Sequence, residues 1–226
     1  MSTQAELKNH LDGLFSAERK VRELHDTLVV APKDALLDVM VPAIAEAAAL
    51  TDEAEASLRL VRSAEVLAEI EGPRAMDALI DILATDLPEA RHSAGEAIEE
   101  AAFERFKEVA QGIERALGRL PVGSAALPEL PYILAEVPEP GVLKLIEKFL
   151  KHEDADAVAA AIEVAADMGD PALIKHLEKL EGDKRTVDMA ADDSDEPSEV
   201  TIGELAEEAI GILSGEGEDE DDEEAR

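Results

Sequence analysis

The side chains best suited to chemistry are five histidines, His10, His25, His92, His152 and His176; cysteine is absent. A histidine can move protons near neutral pH or ligate a metal, but either use needs a second donor held beside it. None of the five forms an H-x-x-x-H or H-E-x-x-H pair, the spacing that puts two rings on one helix face. The densest run of ligating types, His152-Glu153-Asp154, falls in a turn between helices and reads as solvated turn polarity. Without cysteine there is no thiolate nucleophile, zinc–thiolate site or disulfide framework. Carboxylates are plentiful, but acidic pairs recur on so many helix faces that no acid–base couple stands out from solvated surface. A phosphate-binding glycine loop, a dinucleotide fingerprint, a nucleophile elbow and an EF-hand loop are all missing. The residues therefore predict a non-enzyme with no cofactor and no metal site.

Charge narrows the partners. The 226 residues carry 54 acidic and 21 basic side chains, a formal net charge of −33. Such a field repels phosphate backbones and anionic lipid surfaces, which argues against nucleic acid and membrane. It favours a basic segment of another protein, or serves solubility alone, as on an acid-rich surface kept in high salt. The start, MSTQAELKNHLDG, is polar, and the apolar stretches are broken by charges well short of the ~20 residues that span a bilayer. A soluble, cytoplasmic protein is expected.

The elements that must position these side chains are helices. Apolar residues make up 46% of the chain and aromatic ones 2%. The apolar set is mainly Ala, Leu, Ile and Val; Ala and Leu are strong helix formers, and small side chains let helices pack closely. No run of β-branched residues recurs with period two, so no strand is predicted. A first helix over 3–29 repeats Leu7, Leu14, Val21 and Leu28 every seven residues, with Leu11 beside them. Glu18 and His25 interrupt the other seam positions, so this helix is expected to pack on its successors; pairing as a coiled-coil homodimer is the alternative. Helices follow over 33–50, 53–70, 74–85, 88–101 and 103–118, the last two running together, then over 127–137, 141–151, 154–168, 171–181 and 201–213. Asp52, Gly72-Pro73, Pro88 and a Thr201/Glu204 capping box mark starts. Leu58, Val61, Leu67 and Ile70 are expected inward on 53–70, and Leu205, Ala209, Ile212 and Leu213 on 201–213. The charged segment 183–199 is expected to be a mobile insertion within a single domain over 1–214, and 215–226 a disordered acidic tail.

The stretch 140–182 sets the pattern. Leu145-Ile146 and Leu150, acidic Asp154 and Asp156, then Val158, Ala161, Ile162 and Ala165, then Gly169-Asp170-Pro171 and Leu173-Ile174 with Leu177 resemble HEAT repeats of the PBS-lyase type. Leu79-Ile80, Leu83, Pro88-Glu89-Ala90-Arg91, Ala94 and Ala97-Ile98 match it more weakly. The resemblance implies an all-α fold, a right-handed α-solenoid of about five helical hairpins over 33–70, 73–102, 103–137, 140–169 and 171–213. Such repeats usually carry an Arg early in the second helix; here Arg91 supplies it but Ala157-Val158 does not, so an Asp–Arg ladder between repeats is expected only at Arg91. Bilin lyases of this class need an aromatic pocket, which one Tyr, four Phe and no Trp do not supply, and its DNA-binding members use basic faces that this chain lacks.

In a helical-hairpin solenoid the second helices line the concave face, where partners dock. That face would expose Glu55, Arg59, Arg62, Glu69, Glu89, His92, Glu96, Glu99, Asp156, Glu163, Asp167, Glu204, Glu207 and Glu208. The mostly acidic stripe predicts a protein-binding adaptor or scaffold that takes a basic segment. The alternative is an acidic chaperone or polyanion mimic that engages basic partners through the tail.

Overall fold

A computed structural model of the chain describes residues 3–189 and 198–215. Among these residues the fold is predominantly helical: α1 (Gln4–Val29), α2 (Lys33–Ala48), α3 (Glu53–Ala68), α4 (Pro73–Leu83), α5 (Pro88–Arg119), α6 (Ala126–Ala135), α7 (Val142–Phe149), α8 (Ala155–Met168), α9 (Ile174–Leu177) and α10 (Ile202–Ser214). One antiparallel hairpin, β1 (Thr186–Met189) with β2 (Ser198–Thr201), precedes α10. Local chemistry sets the helix ends. Thr3 with Glu6 and Thr201 with Glu204 form reciprocal capping boxes. Asp52 and Asp154 accept from the backbone N–H groups of Glu55 and Ala157. Pro73 and Pro88 stand in the first helical turn, where a missing N–H costs nothing. Among the described residues no helix is long and apolar enough to cross a membrane.

The helices neighbour one another along two tracks. On one, α3 meets α5, α5 meets α6, α6 meets α8 and α8 meets α10; on the other, α2 meets α4, α4 meets α5 and α5 meets α7. A single apolar cluster runs between them from Leu36 to Ala209, with Leu60, Leu79, Ile98, Ile113, Leu127 and Phe149 fully enclosed. Buried alanines, among them Ala64, Ala94, Ala116, Ala161 and Ala165, sit where the helices approach. Polar links tie the tracks lengthwise. Asp38–Arg74 (2.8 Å), Asp77–Arg115 (2.8 Å), Asp81–Arg119 and Glu114–Lys148 join α2 to α4, α4 to α5 and α5 to α7. Ser57–Glu89 (2.9 Å), Arg91–Glu129 and Tyr132–Glu163 (2.6 Å) join α3, α5, α6 and α8. All span 31 to 38 residues of sequence. Exposed pairs contribute little energy each; their regular spacing is the informative property. The acid–base ladder expected only at Arg91 is thus longer, and it runs through the other track.

Several expectations are corrected. The first helix does not pack along its leucine seam: α1 has no buried residue, and Leu7 and Leu14 are 58% and 63% exposed. It reaches the body only through half-buried Val21, His25 and Val29. On α3, Leu58 is exposed, and the buried line is Ala56, Leu60, Ala64 and Leu67, a register set by α5 packing against it. The helix expected over 171–181 is a 3-10 turn, Pro171–Leu173, followed by the single turn of α9, although Leu173, Leu177 and Leu180 are buried. On α10 the buried residues are Ile202, Gly203, Ala206 and Ala209, and Ile212 is exposed. Helix α5 is continuous across 88–119 but breaks its dihedrals at Arg105 (φ −138°, ψ 44°), where the chain passes from one expected helix to the next.

The largest correction concerns 183–199, expected to be mobile and strandless. Its described ends form the hairpin, with Thr186 opposite Thr201 and Val187 opposite Val200. Those β-branched pairs suit a pleated surface, and Val187 is buried. Asp183 receives Arg185 through Nε and Nη2 at 3.0 and 2.6 Å, and Arg185 Nη1 donates to the carbonyls of His152 and Glu153 at 2.8 Å. The guanidinium holds the Asp183 carboxyl below its ordinary value. The hairpin is thereby fastened to the turn between α7 and α8. Residues 190–197 and most of the expected tail, 216–226, lie outside the described residues.

Candidate functional site

Helix α8 is the floor of the site. Asp154 caps its start, and Gly169, in the left-handed region at φ 63°, ends it. Val158, Ala161, Val164 and Ala165 are buried. The opposite stripe carries Asp156, Ala159, Ala160, Glu163, Ala166 and Asp167, a spacing of three and four that alternates carboxylates with methyl groups. Pro128 and Tyr132 of α6 form one wall, and Leu205, Glu208, Ala209 and Ile212 of α10 the other. Val187 and Asp188 of β1 close one end. The cleft holds about 340 Å³.

Among the described residues five carboxylates line it, Asp156, Glu163, Asp167, Asp188 and Glu208, with no basic side chain. Tyr132 Oη donates to Glu163 Oε2 at 2.6 Å. Burial, that bond and the surrounding negative field of Glu163, Glu129 and Asp167 raise the phenol well above its ordinary value, so it stays a neutral donor. Desolvation, with Asp154 and Asp188 nearby, raises the Asp156 carboxyl. Negative charge over an apolar floor matches a cation carried on an aliphatic or amphipathic body.

The predicted stripe divides. Asp156, Glu163, Asp167 and Glu208 converge on this cleft. His92, Glu96 and Glu99 gather at a separate shallow depression beside Arg91 and Glu129, with His92 Nε2 3.4 Å from Glu96. The remaining residues lie elsewhere. Glu55 pairs with Arg59 and Arg62 with Glu65, each at 2.7 Å within α3. Glu69 meets His25 at 3.2 Å, and Glu89 accepts from Ser57. Glu204 is the α10 capping carboxylate, held below its ordinary value by Thr201. Glu207 is exposed and outside the cleft. Sequence reasoning missed Tyr132, Asp188, Leu205 and Ile212 as site residues. A signal existed for Tyr132, the only tyrosine, 31 residues before Glu163 and so one inter-helix step away.

His152 has a structural use. Its Nε2 lies 3.1 Å from the Leu117 carbonyl and its Nδ1 accepts from the Asp154 N–H at 3.1 Å, which holds the ring between α5 and the start of α8. Asp154 also accepts from the Gly123 N–H at 2.6 Å. Among the described residues no group of three or more His, Asp or Glu could hold a metal ion.

No family model and no curated protein matches the chain. Among solved structures it is similar to the crystal structure of an engineered protein, at 18% identity over 88% of this chain and 92% of that one, with a TM-score of 0.33. A likeness of that size carries no argument.

Proposed function

We propose that the chain is a non-enzymatic cytoplasmic adaptor of HEAT-like architecture, about five helical pairs in a right-handed solenoid, whose acidic cleft takes a basic amphipathic segment of another protein. The architecture is supported by the two helix tracks and by polar links spaced 31 to 38 residues apart, the period of helical-hairpin repeats. The observation that carries the function is the cleft itself, where the described residues set five carboxylates and no base around Ile162, Leu205 and Ile212. Charge sets the rate and choice of partner, and the apolar floor supplies affinity once the segment is seated. Phosphate backbones and anionic lipid are repelled by the same field.

The test is titration with a 16-residue Lys/Leu amphipathic peptide and its scrambled form. Glu163→Lys with Asp167→Lys should weaken binding at least tenfold, as should the charge-neutral Ile212→Asn, and added salt should weaken the parent's binding. Deleting 215–226 should leave binding intact. Undiminished binding in the two cleft variants overturns the proposal, and loss on tail deletion favours the polyanion-mimic reading.

A further inference from the structure

Helix α1 is longer than the helices it lies against, 26 residues against 16 in each of α2 and α3. Its first half therefore overhangs: no described residue before Val21 is even half-buried. That overhang carries Leu7, Leu11, Leu14 and Phe15, all at least 49% exposed. Beside its second half, α1, α2 and α3 enclose a groove of about 530 Å³ whose apolar lining includes Leu24, Leu28, Leu36, Val39, Met40 and Val66. Among the described residues, each molecule thus holds an uncovered apolar ridge and an uncovered apolar groove, at opposite ends of one helix.

We propose that α1 is a homodimerisation element: two copies pair antiparallel, each laying Leu7, Leu11, Leu14 and Phe15 into the groove that the other's α1 forms with α2 and α3. Leu11 rests against the second copy's Leu28, and Phe15 against its Leu24. The inference does not rest on the cleft reading. Four residues separate Leu11 from Phe15 and four separate Leu24 from Leu28, so one antiparallel register satisfies both contacts, and the two-fold axis makes each contact twice. The lengths agree. Residues 4–17 of α1 span about 21 Å, and its groove-lining stretch, 18–28, about 17 Å.

Charge selects the second copy over a basic partner. The cleft draws cations, whereas this groove is mixed, with Arg22 and Arg62 among Glu18, Asp26 and Glu65. α1 carries Lys8, Arg19, Lys20 and Arg22 against Glu6, Asp12, Glu18, Glu23 and Asp26, close to balance in a chain of net charge −33. Two copies meeting here face less repulsion than a more acidic face would impose; the register does set Arg19 against the second copy's Lys20 at the two-fold axis, where Glu23 of the same helix already holds Lys20 at 3.2 Å. The polar seam residues are also accounted for: Glu18 is held by Arg22 at 3.5 Å within the helix, and His25 turns to Glu69 of its own body.

Light scattering on the full chain should give twice 24.2 kDa, and the triple variant Leu7→Glu, Leu11→Glu, Leu14→Glu should give half that mass with unchanged circular dichroism. These positions lie outside the core, so the variant folds. Because the chain lacks cysteine, orientation is read separately. Oxidising an equal mixture of L11C and L28C should yield a covalent heterodimer, and neither alone should cross-link. A monomeric parent, a dimeric triple variant, or cross-linking of L11C with itself each overturns the proposal.

Discussion

Two parts of this molecule carry large apolar residues at similar helical spacing and use them in opposite ways. Around α7 and α8, Leu145, Phe149, Val158 and Ile162 are buried, and the acids are left on the far stripe to form a cleft. In α1, Leu7, Leu11 and Leu14 repeat as regularly and face outward. Periodicity says which face of a helix is apolar; only neighbours say whether it is covered. α7 and α8 are joined by a short turn that Arg185 and His152 pin in place, so their faces must meet. α1 outreaches α2 and α3, so half of its face meets no other described part of its own chain.

This contrast can be broken by mutation, and the largest effect lies on the buried side. Phe149→Ala should cost about 3–5 kcal/mol in denaturant unfolding, because it leaves a cavity in a fully enclosed site. Leu14→Ala, measured at high dilution, should stay within about 0.5 kcal/mol of the parent. Equal losses would mean that the two faces are not differently covered. Next is Gly203→Ala. A Cβ there would stand 2.6 Å from the Glu181 carbonyl oxygen and 3.1 Å from that of Asp183. The expected cost is about 1–3 kcal/mol, with faster amide exchange in 186–189 and 198–201 and none added in α1.

Acid should also act on the covered side. His176 is 8% exposed, and burial lowers its pKa, outweighing Glu147 at 3.5 Å; Lys151, Lys175 and Lys179 lower it further. The unfolded ring titrates near 6.5, so below that pH the unfolded chain binds the extra proton first. Stability should therefore fall as pH drops through this range, and His176→Leu should flatten that slope. An unchanged slope would remove His176 from the account. The smallest effect is Tyr132→Phe, less than about 1 kcal/mol in stability, since its partner Glu163 can turn to water.

Much of the helical frame was legible from the sequence, because Asp52, Pro73, Pro88, Asp154, Gly169 and the Thr201/Glu204 box act through their nearest neighbours. The hairpin was not. Its strands are four residues each, and their pairing joins Val187 to Val200 across a charged segment. Only four of the fourteen predicted site residues meet in the cleft, because periodicity places a residue on its own helix and not beside another, and Arg59, Arg62 and Glu204 pair within their own segments. Tyr132 and Ile212 join the cleft through contacts among α6, α8 and α10 that no local pattern encodes.

Tyr132 also gives the most direct test. It is the only tyrosine, and the chain has no tryptophan, so intrinsic emission reports from the cleft wall alone. Titrating the full chain with the non-aromatic Lys/Leu peptide should change that emission to saturation, and Glu163→Lys with Asp167→Lys should shift the midpoint at least tenfold. Peptide binding detected by calorimetry while Tyr132 emission stays constant would place the partner elsewhere and contradict the account.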